Sequence, residues 1–177
     1  MSVKEERTER AVKFGRDFYG KSFNCAQSTL AGLMEEFFPD HPEKSTVIKV
    51  GNQFHGGGIK NSFCGGLNGG LMFLDFLYGV DLTVGMPPAK VIATFKRMNN
   101  ITQKHAERFA EKMGGTKCTD VHSNEKLMGK EYDFMDFGEV MKFFGEGGDY
   151  KCKDVVESGI RLVCDFIMDD DGNIIEH

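Results

Sequence analysis

The residues of this chain best suited to do chemistry are its five cysteines. Four of them sit where the sequence reads as the start of a helix. Cys25 follows Asn24, Cys64 follows Asn61-Ser62, Cys118 comes just after Gly114-Gly115-Thr116, and Cys152 lies three residues after Asp149. At such positions free N–H groups and the helix dipole favour an anion and draw a thiol pKa down. Four such sulfurs can ring one metal centre or make two redox pairs. Cys164, between Val163 and Asp165 in mid-helix, reads as core filler, the habit of a free cysteine. The same reading also suits Cys64, which extends an apolar stripe. It suits Cys25 and Cys118 poorly, because one lies off the apolar face of its helix and the other among Lys, Thr and Asp.

Local motifs narrow the chemistry further. There is no C-x-x-C, hence neither a thioredoxin-like pair nor a zinc knuckle, and no C-x-x-C-H for haem attachment. The spacing matches no ferredoxin run, and an odd cysteine count argues against an all-disulfide framework. His55-Gly56-Gly57-Gly58 resembles a hydrolase oxyanion loop, but the G-x-S-x-G elbow is missing, as are a phosphate loop and a dinucleotide fingerprint. Gly58 and its neighbours read better as backbone lying close to whatever Cys64 holds, offering N–H groups to sulfur. His105, on an otherwise apolar helical face, reads as a core histidine with its nitrogens satisfied. Residues 169–176 are acidic but lack EF-hand spacing and a Glu at the twelfth position, which argues against calcium.

The elements that must position these groups are helical. Residues 7–19 suit a first helix ended by Gly20, and Asn24 caps a second with the stripe Ala26, Leu30, Leu33, Met34 and Phe37. Residues 45–50 fit a strand or a short helix equally. A third helix from about Asn61-Ser62 is apolar nearly all round, which places it at the centre of the domain. Its Gly65, Gly66, Gly69 and Gly70 forfeit about 1 kcal/mol each against Ala, so something must approach that backbone closely: another helix or a ligand. Pro87-Pro88 opens a long helix to about Met113 with the stripe Val91, Phe95, Met98, Thr102, His105 and Phe109. A short helix and an aromatic-rich loop follow over 118–148, then a last helix with Val155, Val156, Ile160, Val163 and Ile167 on one face. The expected fold is all-α, a single-domain bundle of five or six helices over 1–168 around the Gly-rich helix, with a loose tail at 169–177.

The segments NCAQSTL (24–30), GGGIKNSFCGGLNGG (56–70), FAEKMGGTKC (109–118) and YKCKDVV (150–156) together resemble the C_GCAxxG_C_C family, small prokaryotic redox-active domains with four characteristic cysteines. The resemblance covers most of residues 7–165, and CGGLNG at 64–69 is its strongest element, with Gly66 where the family usually has Ala. It implies that the family cysteines are Cys25, Cys64, Cys118 and Cys152. A related domain in split-Soret cytochromes is associated with an iron–sulfur centre. The resemblance therefore implies an iron–sulfur cluster on these four sulfurs, with Gly58, Gly65 and Gly69 letting backbone approach it. The alternative is metal-free thiol–disulfide chemistry with the same residues. Residues 120–148 look like an insertion relative to the family, which leaves Cys164 as the reserve for Cys152.

Composition sets the outer bounds. A net charge of −5 argues against binding nucleic acid or an anionic membrane surface. The most hydrophobic stretch, 63–80, is broken by Asn68, Asp75 and glycines, so no membrane insertion is expected. The first residues carry no export signal, so a cytoplasmic, reducing setting is expected, where cysteines serve as ligands or reactive thiols. The expected role is electron transfer or redox sensing with a partner redox protein. The apolar Gly-rich helix is also suited to a homodimer contact.

Overall fold

The computed structural model describes residues 1–56 and 62–177, so Gly58 lies outside the described residues. Among these residues there are eight α-helices and no β-strand: α1 (Val3–Ser22), α2 (Cys25–Phe37), α3 (Lys44–Val50), α4 (Gly65–Tyr78), α5 (Pro88–Met113), α6 (Cys118–Ser123), α7 (Phe137–Gly145) and α8 (Gly148–Ile167). The all-α expectation holds, with more helices than the five or six read from the sequence. No helix among the described residues is long and apolar enough to cross a membrane.

The frame is α1, α2, α4 and α8, with α5 laid against α4 and α8. Glycines set the crossings. A Cβ at Gly69 would overlap the carbonyl oxygen of Ala26 and lie 2.8 Å from Thr29 Cβ, so α4 meets α2 backbone to backbone. On the other side of α4, a Cβ at Gly66 would lie 2.8 Å from Val155 Cγ1, and one at Gly159 would lie 2.5 Å from the Gly66 carbonyl oxygen. Helices therefore approach the glycine band on two sides. The propensity that these glycines give up is offset by the packing their missing side chains allow.

Several boundaries differ from the sequence reading for identifiable reasons. Helix α1 starts at Val3, because Ser2 and Glu5 form a reciprocal capping box, and it runs through Gly20. It stops at Phe23, which takes a left-handed conformation (φ 50°) so that Asn24 can cap α2 at once. Residues 44–50 are helical: no strand among the described residues offers an edge to pair with, and Val47 and Ile48 pack half-buried against the core. In α5 the buried face is Thr94, Met98, Ile101, His105, Phe109 and Met113, whereas Phe95 is exposed. The C-terminal residues are tied down, not loose. Met168 bridges Ile174, the Tyr78 hydroxyl donates to the Ile175 carbonyl at 2.8 Å, and the His177 ring stacks on Phe166 at 4.1 Å.

Candidate functional site

Each of the four cysteines is carried by a different helix. Cys25 is the first residue of α2, after Asn24, whose side-chain oxygen accepts from the Gln27 N–H at 2.9 Å and whose amide donates to the Asn52 carbonyl at 2.9 Å. Cys64 is the N-cap of α4, and Cys118 is the first residue of α6. These two are locked side by side by a short antiparallel bridge between Phe63 and Lys117. In it the Cys64 N–H donates to the Thr116 carbonyl at 2.8 Å and the Cys118 N–H to the Ser62 carbonyl at 3.1 Å. Cys152 is the exception to the helix-start pattern, because α8 begins at Gly148 and places it a full turn inside.

All four line one cavity of about 450 Å³, together with Tyr19, Phe23, His122, Phe134, Phe143 and Phe144. The segment read as an insertion, 120–148, supplies much of the wall: His122, Phe134, Met135, Val140, Phe143 and Phe144. Gly56, with φ 55°, tucks under Phe134, where an added Cβ would be 3.4 Å from that side chain. Of the glycines expected near the site, Gly65 lies directly against the Cys25 sulfur, whereas Gly69 packs on α2 and does not line the cavity. Cys164 is fully buried elsewhere, in the core near the Thr8 hydroxyl, and keeps its structural role.

The electrostatics reverse one expectation. Burial pushes all four thiols above their ordinary range, Cys64 up to about 12, and the charges that neighbouring sulfurs would carry raise Cys64, Cys118 and Cys152 further. Backbone N–H groups, most of them at helix starts, pull the other way without winning. Those of Gly56, Cys25, Ala26 and Gly65 face the Cys25 sulfur, and those of Gly66 and Leu67 face the Cys64 sulfur. The Tyr19 hydroxyl faces the Cys152 sulfur. The thiols therefore rest protonated, while the backbone around two of them is already arranged to receive negative sulfur.

Sequence reasoning missed His122. It is buried, with Nδ1 4.0 Å from Cys118 Sγ and Nε2 3.7 Å from Cys152 Sγ, and burial lowers its pKa to about 4, so the ring is neutral. The signal was present in the spacing, since Cys118 and His122 are four residues apart and so share a helix face. His105, read as satisfied, has no hydrogen-bond partner on either nitrogen among the described residues. Among the described residues, no group of three or more His, Cys, Asp or Glu side chains is placed to hold a metal ion. The sulfurs surround a space instead of closing on a point. That arrangement does not match a compact tetrahedral zinc site, whose sulfurs lie about 2.3 Å from one ion, and it leaves room for a group of several atoms.

The family described as "Putative redox-active protein (C_GCAxxG_C_C)" matches residues 23–166, a span that contains all four cysteines of the cavity and His122. No curated protein and no solved structure matches the chain. The chain belongs to the C_GCAxxG_C_C family of redox-active proteins.

Proposed function

We propose that Cys25, Cys64, Cys118 and Cys152 hold an iron–sulfur cluster, and that the protein transfers electrons to a partner protein or reports redox state. The observation that carries this reading is the convergence of four cysteines, from four helices, on one cavity of about 450 Å³. That is many times the roughly 30 Å³ share of a water molecule and far more than one ion needs. The cluster would supply one-electron transfer. The chain supplies the rest. N–H groups of Gly56, Ala26 and Gly65 offset charge on the Cys25 sulfur, and those of Gly66 and Leu67 do so for Cys64. Phe23, Phe134, Phe143 and Phe144 keep water from the sulfurs, and burial and N–H donation are the means by which a protein sets such a potential.

Single replacement of each cysteine by Ser, in protein purified and reconstituted without oxygen, tests the ligand set. Loss of visible absorbance and of bound iron is expected for Cys25, Cys64, Cys118 and Cys152, and full retention for Cys164→Ala. Retention by Cys64→Ser would remove that residue from the set. A colourless protein whose thiol titre falls by two on oxidation would make the cavity a thiol–disulfide site.

A further inference from the structure

His122 occupies a place that a hydrocarbon ring would fill at lower cost. Its neighbours are Phe134 and Phe143, each 5.0 Å away between ring centres, and Tyr132 at 6.0 Å. The residue is 2% exposed. Burying an imidazole there costs desolvation of both nitrogens unless each finds a partner. His105 shows the unpartnered case within the same molecule. At His122 both nitrogens face sulfur: Cys118 Sγ at 4.0 Å on one side and Cys152 Sγ at 3.7 Å on the other.

We propose that His122 is a positioning residue for the sulfur site, holding Cys118 and Cys152 through its two ring nitrogens. A neutral imidazole has one N–H and one bare nitrogen. With both cysteines as thiols, one sulfur accepts the ring N–H and the other thiol donates to the bare nitrogen, so α6 and α8 are tied together across the cavity. When the sulfurs carry no proton, a single N–H···S bond remains and the two sulfurs become inequivalent. Such a bond favours the more negative, reduced form of whatever group the sulfurs hold, and so raises its potential. This last consequence rests on the cluster reading; the tie between the two cysteines does not.

A double-mutant cycle on the metal-free protein tests the tie. His122→Phe, Cys152→Ala and the pair are compared by urea unfolding. The expected coupling is about fivefold in the unfolding equilibrium constant, the scale of one hydrogen bond. Additive effects would mean that His122 only fills space and would overturn the proposal. If His122→Phe does not fold, nitrogen NMR of the His122 ring in wild type and Cys152→Ala decides the same point. A moved ring resonance supports the tie, and an unmoved one contradicts it. In reconstituted protein, His122→Phe is expected to keep its iron and sulfide but show a lower midpoint potential, with His122→Gln returning it toward wild type. An unchanged potential overturns the tuning role. A wild type that takes up no iron and sulfide removes the tuning role together with the cluster reading, while the coupling still decides the tie.

Discussion

A Cβ at Gly65 would land on the sulfur of Cys25 and lie 2.8 Å from the Phe54 carbonyl oxygen and 2.9 Å from the Ala26 nitrogen. Two of those neighbours are backbone, which cannot rotate away, so this glycine fixes how closely α4 approaches the first cysteine. Gly65→Ala is therefore expected to cost about 1–3 kcal/mol of stability and to displace Cys25. Urea unfolding and iron uptake would show both effects. Gly145→Ala, with nothing among the described residues within 4 Å of the added carbon, serves as the clash-free control and is expected to lose no stability. An unperturbed Gly65→Ala would mean that the Cys25 sulfur has room to move, contrary to a site shaped by this contact.

At the scale of elements, α5 carries a liability that bears on acid stability. His105 and Val163 of α8 both crowd Gly70 of α4, neither His105 nitrogen is paired among the described residues, and burial lowers its pKa from 6.5 to about 4. Above pH 6.5 the residue is neutral in folded and unfolded chains alike and contributes no pH dependence. Between pH 6.5 and 4 the unfolded chain takes up a proton that the folded chain refuses, so stability falls as pH falls. His105→Leu is expected to be more stable than wild type at pH 7.5. The gap should widen by about 2 kcal/mol by pH 5, read by urea unfolding at the two pH values. A gap independent of pH would show that His105 is solvated or paired in solution. The sequence revealed that this position faces the core, because the 3.6-residue period of α5 is plain. It did not reveal that the nitrogens lack partners, since that depends on what α4 and α8 present to the ring.

The whole molecule builds its site from residues 25, 64, 118 and 152, so the cavity exists only once α2, α4, α6 and α8 have packed. Much of this was legible locally. Asn24 announces a cap, the glycines of α4 announce close approach, and both place a cysteine at a helix start. The rest depends on contacts with no sequence period. The isolated bridge that pairs Cys64 with Cys118 is too short to alternate, Cys152 enters α8 a turn late because the helix begins at Gly148, and most of the aromatic wall comes from a segment that looks like an insertion. These separate pieces meet in one enclosed set of sulfurs, and the function proposed here stands on that meeting. The measurement that tests it most directly is an ultraviolet–visible spectrum, with iron and acid-labile sulfide assays, on the unaltered protein purified without oxygen. Broad sulfur-to-iron charge-transfer absorbance with matching iron and sulfide is the expected result. A colourless protein with neither, even after anaerobic reconstitution, would contradict the account.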